Sequence, residues 1–339
     1  MQTSIEQEQT ILWSLLHEPG DSLARHIFDT RGIQALEDFR SGKALAIWSE
    51  LIETSYHAQL RDLVERIALR LPHRDEIAAI ERAIRWNARP VFEPDAPNLF
   101  RRLKDLHPHN PYLLWVAGDI SFLEDNPVAI VGTRNPSQIG IANARKMVGK
   151  IKRPVISGGA KGIDAAAHES ALELGLPTAA FMAGGLDRAY PQTNWDLFHR
   201  IVQNGGAMVS ELACTMAPTR FRFLQRNRLI AAAATATFVI EAGFRSGSKN
   251  TAGHSRTLGR NTYALAGPKD FPPAAGCNHL IDSGFADPFH IGGAPSIDFD
   301  QNKRRIEDAI LNGARSIEEI ARESGLSMKD VKAFRRSKA

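Results

Sequence analysis

Residues 128–140 read VAIVGTRNPSQIG and residues 154–164 read PVISGGAKGID, with a helical-looking segment between them. Each apolar run breaks at glycine, and each break is followed almost at once by a lone cation, Arg134 and then Lys161. A short run that is apolar at every position predicts a strand buried on both faces, as in a helix-covered parallel sheet. Ligands of such sheets gather beyond the carboxyl ends of the strands. Glycine lets backbone N–H groups approach an anion there, and helix N-termini add partial positive charge. The stretch therefore predicts an α/β fold with a phosphate-accepting site around Gly132, Arg134, Gly158, Lys161 and Gly162.

The same alternation continues outward. Strands are expected at 178–185, 207–211, 236–243 and 261–268, with 112–119 a short strand or hairpin arm. Between the first two strands, Ile141, Ala144, Met147, Val148 and Ile151 fall on one helical face; after the second, Ile163, Ala166, Ala167, Ala171 and Leu174 do the same. Strands separated by helices of this length imply βαβ units, a parallel Rossmann-like sheet and right-handed crossovers. The expected body is 112–291. Residues 1–88 show only helical periodicity, with faces at Ile11, Leu15, Leu16, then Leu60, Leu63, Val64, Ile67, then Ile77, Ile80, Ile84. Pro90, Pro94, Pro97, Pro108 and Pro111 mark 89–111 as a linker, and the Gly/Pro-bearing stretch 286–300 places a second linker at 292–301. The tail, 302–339, carries Ile306, Ile310 and Leu311 on one face and Gly313 as a stop. Ser316 and Glu319 sit at capping-box spacing, Gly325 is a turn and Ser327 a new start, the pattern of a helix-turn-helix.

Composition narrows the classes. The net charge of the 339 residues is +4, and the tail alone, with ten Lys/Arg against six Asp/Glu, accounts for it. A polyanion site in the body must then be a local cluster. The two cysteines, Cys214 and Cys277, form no CxxC pair, which points to a reducing compartment and away from zinc. The N-terminus lacks a basic region before its short apolar run, and no apolar run is long enough to span a membrane. A cytoplasmic location is expected.

The glycine turn at 132–137 reads GTRNPS, lacks GxGxxG, and is not followed by an acid at the end of the next strand; NAD is disfavoured. No GxxxxGK[ST] loop occurs either. By itself SGGAKG fits a tight turn with a solvated lysine as well as it fits an anion site, and Arg134 at the neighbouring strand end favours the latter. GLDRAYP (185–191) fits a structural turn, with Tyr190 as the alternative lip of a site. In 220–228, Arg220, Arg222, Arg226 and Arg228 interleave with Phe221 and Phe223, a mixture suited to a single strand of nucleic acid: cations meet phosphates and rings stack on bases. The plainer expectation puts at least one phenylalanine in the core. After the fifth strand, Ser246, Gly247, Ser248 and Thr251 offer hydroxyl and backbone donors at a helix start. Glu241 fits a base or a hydrogen-bond partner equally, and His168 and His254 fit surface or packing positions. No nucleophile elbow, HExxH or acidic metal set is present, so binding without catalysis, metal or cofactor is expected.

Taken in order, VAIVGTR, SGGAKGIDAAAH, GLDRAYP, SE (210–211), RNRLIA, VIEAGFRSGS and GCNHLIDSG (276–284) resemble the DprA (Smf) family of DNA-processing proteins over about 112–285. The resemblance implies an extended Rossmann-like fold, single-stranded DNA binding, a homodimer, and help in loading RecA recombinase during natural transformation. It implies no enzymatic activity. It also implies a DNA groove lined by Arg134, Ser157, Gly158, Lys161, Arg226, Asn227, Arg228, Ser246, Gly247 and Ser248. SGGA stands where the family has SGLA, FLQRN where FPxRN is common, and SGSKNTA for SGSLITA, which places Lys249 and Asn250 at expected apolar positions. The tail resembles the family's winged helix cut short after its third helix. A rival expectation is a nucleotide phosphoribohydrolase-like enzyme around Glu241, weakened because SGSKNTAGH supplies no glutamate after the turn. A transcription regulator acting through the tail is a third.

Overall fold

The structure, a computed structural model, describes residues 3–244 and 246–291 and, in the tail, 306, 309–310, 314–324, 328, 331–332 and 334. Helices α1 (Ile5–Leu15), α2 (Ser22–Arg31), α3 (Gln34–Arg40), α4 (Ala44–Ser49), α5 (His57–Arg70) and α6 (Glu76–Arg85) lead into an α/β body. The body runs β1 (Ala88–Val91), α7 (Pro97–Lys104), β2 (Leu114–Gly118), β3 (Val128–Val131), α8 (Gln138–Ile151), β4 (Val155–Ser157) and α9 (Ile163–Glu173). It continues β5 (Thr178–Met182), α10 (Trp195–Gln203), β6 (Ala207–Ser210), α11 (Arg220–Ala233), β7 (Ala236–Val239), α12 (Ser248–Thr257), β8 (Asn261–Leu265), α13 (Ala275–Asp282) and β9 (Asp287–Phe289). The nine strands lie in the order β1-β2-β6-β5-β4-β3-β7-β8-β9. Every strand predicted from the sequence is present.

Alternate residues of β3 serve opposite layers. Val128 and Ile130 pack with Ala144, Met147 and Val148 of α8 and with Ile163 and Ala167 of α9. Ala129 and Val131 pack with Leu229 and Ile230 of α11 and Ala252 of α12. A strand loaded on both faces is apolar throughout, which is why VAIV carries no polar residue. Each large side chain so buried contributes about 1.5–3 kcal/mol.

The sheet is parallel from β6 through β9, but β2 joins β6, and β1 joins β2, in antiparallel register. It is therefore mixed, not wholly parallel. Both stretches read as linkers contribute outer strands. Segment 89–111 supplies most of β1 and all of α7, and the 286–300 stretch begins with β9. The prolines misled: Pro90 lies in β1 and Pro288 in β9, the two edges, where a residue without an N–H leaves no partner unbonded. Such prolines also blunt the edges against pairing with other chains. Residues 292–301, the expected linker, lie outside the described residues.

Helices α1 to α5 enclose their own core around Trp13, Trp48, Leu36, Leu60, Leu63 and Ile67. Helix α1 is buried on two sides, because Ile11 and Leu15 pack with Ala79, Ile80 and Ala83 of α6 and with Trp115 of β2. The expected face Ile77, Ile80, Ile84 is not the buried one: Ile77 and Ile84 are 47% and 52% exposed, and α6 turns Ala79, Ile80 and Ala83 inward. In the tail, α14 (Ile317–Ser324) begins with the expected capping box, Glu319 N–H donating to Ser316 Oγ at 3.1 Å and Ser316 N–H to Glu319 Oε2 at 3.0 Å. Ile306, Ala309, Ala314, Ile320 and Val331 share a small core there. Leu311, Gly313, Gly325 and Ser327 lie outside the described residues. Cys214 and Cys277 are buried and unbridged. Among the described residues no helix is long and apolar enough to cross a membrane.

Candidate functional site

From β3 the chain builds outward through β4, β5 and β6, then returns to place β7, β8 and β9 on the other side of β3. The loops leaving β3 and β7 therefore diverge, and a crevice opens at that switch point beyond the strand ends. A cleft of about 340 Å³ occupies it. Gly132 and Arg134 come from the β3 loop; Phe223, Arg226 and Asn227 come from α11; Ser246, Gly247, Ser248 and Thr251 come from the start of α12. Nine of the sequence-expected residues are thus brought together.

Helix α11 is fixed at both ends. Thr219 caps its start by accepting the Arg222 N–H at 3.2 Å. At its finish two buried arginines serve the last carbonyls: Arg102 Nε donates to Ala233 O at 2.9 Å and Arg260 Nη2 to Ala232 O at 3.3 Å. Cations at a helix C-terminus also oppose its dipole. One face of the fixed helix then offers Phe223, Asn227 and Ile230 to the cleft.

The guanidinium of Arg134 lies 4.9 Å from the centre of the Phe223 ring, a cation–π distance, and no carboxylate pairs with Arg134 among the described residues. Arg226 forms the cleft floor. It is buried, its Nη1 donates to Gly158 O at 2.6 Å and to Phe181 O, and burial lowers its pKa to about 10, so it stays charged at neutral pH. Gly158 is required for this seat, because a Cβ there would stand 2.6 Å from the guanidinium. Asn227 Nδ2 donates to Asn250 Oδ1 at 3.2 Å, and Ser246 and Ser248 share a hydrogen bond of 2.8 Å. Asn227, a cleft residue, is thus tied to the start of α12.

The glycine turn after β4 departs from expectation. Asp164 Oδ2 accepts the Gly158 N–H at 3.1 Å and the Ala160 N–H at 3.4 Å, so the protein's own carboxylate takes the donors assigned to phosphate. Burial pushes the Asp164 carboxyl upward, opposed by Arg226 and these two N–H groups. Glu241 does the same at α8: Ser137 N–H donates to it at 2.8 Å and Ser137 Oγ at 2.5 Å. A Cβ on Gly140 would lie 2.3 Å from that carboxylate. Glu241 is a hydrogen-bond partner closing a helix N-terminus. With these donors taken internally, the cations among the described residues lining the cleft are Arg134 and Arg226.

Four expected residues lie elsewhere. Ser157 is buried and its Oγ donates to Ile130 O at 2.7 Å. Gly162 holds φ +85° beside Thr133 O as the lead-in to α9. Lys161 lines a neighbouring open groove with Arg188, Tyr190 and Trp195. Arg228 is buried on another side of α11, its Nη2 donating to both Glu211 oxygens at 2.8 Å. Helical spacing carried the signal, since at about 100° per residue Arg228 stands roughly 140° round the helix from Phe223. Neither Phe221 nor Phe223 joins the core; Phe221 is 50% exposed and Phe223 half-buried. Tyr190 is part of a turn, and its ring lies 5.6 Å from that of Phe223. Lys249 donates to Phe244 O and lies over that ring. His168 is a packing residue, its Nδ1 2.7 Å from Thr178 Oγ1. Asp164 and Thr133 are cleft residues that sequence reasoning did not mark.

Fold and site define a doubly wound α/β protein whose topological switch point carries an open, cationic, ring-edged cleft. The chain belongs to the DNA recombination-mediator protein A family, whose profile matches residues 90–292. It is 39% identical over 243 residues to the putative DNA processing protein DprA of Mycobacterium tuberculosis, a match spanning 64% of this chain and 62% of that one. It is 36% identical over 176 residues to DNA processing protein DprA of Streptococcus pneumoniae, spanning 51% and 62%. The X-ray structure of the Streptococcus pneumoniae protein has a TM-score of 0.62 at 26% identity, covering 85% of this chain and 95% of that one. DNA processing protein A from Helicobacter pylori, whose structure is described for its unique single-stranded DNA binding mode, has a TM-score of 0.50 at 32% identity, covering 57% and 88%.

Proposed function

We propose that the cleft holds single-stranded DNA and that the protein protects incoming strands and helps load RecA recombinase in natural transformation. In this reading it acts in the cytoplasm as a homodimer, without metal, cofactor or catalysis. The observation that carries the proposal is Arg134 resting unpaired on Phe223 at the cleft mouth, a cation for phosphate joined to a ring for a base. A single strand presents both partners at once, whereas a duplex hides its base faces. The single-stranded DNA binding described for the Helicobacter pylori relative supports the same assignment. The proposal seats the strand in the cleft of the α/β body and gives Arg134, Phe223, Arg226, Asn227, Ser246, Gly247, Ser248 and Thr251 the contacts there. Ser157 and Arg228 support the floor from within.

A mobility-shift titration of single- and double-stranded oligonucleotides, with and without RecA, tests this. Tighter single-strand binding, with faster RecA filament formation on the bound strand, is expected. Preference for duplex overturns the proposal.

A further inference from the structure

The chain has five tryptophans. Trp13, Trp48 and Trp115 are fully buried. The other two stand together at the surface: Trp86, at the end of α6 and 44% exposed, meets Trp195, at the start of α10, with ring centres 5.8 Å apart. The His199 ring lies 5.2 Å from that of Trp195. Trp195 is half-buried against the core, and an exposed ring such as Trp86 beside it at the edge of a groove marks a contact site.

The groove they edge holds about 280 Å³ and includes Arg85 and Phe198. Trp195 is also a wall of the adjoining groove that holds Lys161, Arg188 and Tyr190. Tyr190 in turn touches Phe223 of the cleft. The rings thus form a surface succession, Phe223, Tyr190, Trp195, Trp86, with Arg134, Lys161, Arg188 and Arg85 beside it. Arg85, Lys161 and Arg188 are all exposed. Asp187, the acid among them, accepts the Thr215 N–H at 2.8 Å and 2.9 Å to its two oxygens and lies 3.9 Å from Nε of Arg188, whose side chain stays 55% exposed.

We propose that the single strand bound in the cleft runs on past Tyr190 and that its further bases stack on Trp195 and Trp86. This rests on the cleft binding single-stranded DNA. Alternating rings and cations match the alternation of bases and phosphates, and stacking tolerates any base. An apolar protein partner has no need of the three flanking cations, and continuity with the cleft names the occupant as the same strand.

The test compares oligothymidines of about 6 and about 20 nucleotides, the shorter within the span of a single binding module. Trp86→Ala/Trp195→Ala is expected to weaken the longer by about tenfold or more per ring, a loss in the range of stacking against one base, and to leave the shorter unchanged. Arg85→Glu/Arg188→Glu, at exposed positions that do not endanger folding, is expected to show the same length dependence. Because the other three tryptophans are buried, the longer oligonucleotide should quench the intrinsic fluorescence of the unaltered protein, and the shorter should not. Wild-type affinity of both double variants for the longer oligonucleotide overturns the extension. So does an equal loss at both lengths, or a dimer that dissociates in Trp86→Ala/Trp195→Ala while long-strand affinity holds. Arg134→Ala separates the two readings: if it binds both lengths like the unaltered protein, the cleft assignment itself falls.

Discussion

Arg134 lies 4.9 Å over the Phe223 ring, and the same ring lies 5.9 Å from the guanidinium of Arg226. One aromatic side chain therefore lies within cation–π reach of both a solvent-facing cation and a buried one. Arg226 cannot follow a ligand, because two carbonyls hold it. Among the described residues Arg134 meets the ring and no carboxylate, which leaves its charge to meet a phosphate. Replacing it by alanine should weaken single-strand binding across all base sequences. The plot of log affinity against log salt should lose about one unit of slope, measured by anisotropy at several salt concentrations.

Phe223→Ala should act differently. Loss of a stacking ring costs about 1–3 kcal/mol of binding without removing a charge. Affinity is expected to fall while the salt slope stays unchanged, in the same anisotropy titration.

Arg228→Ala separates floor from cleft. Its guanidinium is buried and holds Glu211, whose side chain is only 13% exposed. Removing one member of a buried pair typically costs about 3–5 kcal/mol. The urea midpoint should drop markedly, and the protein that remains folded should bind single-stranded DNA with unaltered affinity.

Gly162→Ala tests the turn. Its φ of +85° disfavours any side chain, and a Cβ would stand 2.4 Å from the Thr133 carbonyl oxygen. Over-packing against rigid backbone costs about 1–3 kcal/mol, to which the strained φ adds. A lowered thermal midpoint is expected.

Acid should unfold the protein in part through two histidines. Burial lowers both His17 and His168 from 6.5 to about 3. At pH 7 the folded imidazoles are neutral and the unfolded ones mostly so, and the groups contribute little difference. Below pH 6.5 the unfolded chain gains protons that the folded chain refuses, so stability falls with pH until about pH 3. Each such group contributes a slope of at most about 1.4 kcal/mol per pH unit. Urea midpoints at pH 7 and pH 4.5 should differ less in His168→Gln than in the unaltered protein.

The strands were legible because burial on both faces leaves no polar residue in VAIV and only Thr178, at the very start, in TAAFM. The edges were not. Pro90 and Pro288 look the same in a linker and in an outer strand, and only the empty side of the sheet distinguishes them. The same holds at α6, where isoleucine spacing pointed to Ile77 and Ile84 and the smaller Ala79 and Ala83 were the ones that fit against α1.

The amino-acid sequence by itself determined an α/β body, an anion-favouring cluster on its strand ends and the family to which the chain belongs. Those follow from local periodicity, glycine placement and ordered motifs. Tertiary structure decided which cations remain available. Lys161 was grouped with Arg134 because both follow glycine turns on neighbouring strands, yet they open into different grooves. Arg228 was grouped with Arg226 because they are two residues apart, yet Glu211 holds it within the fold. The N–H groups of Gly158 and Ala160 were offered to a phosphate, and Asp164, a few residues further along, took them first. A charge or donor is recognisable from residue type alone; whether it is already satisfied depends on partners brought from elsewhere by the fold.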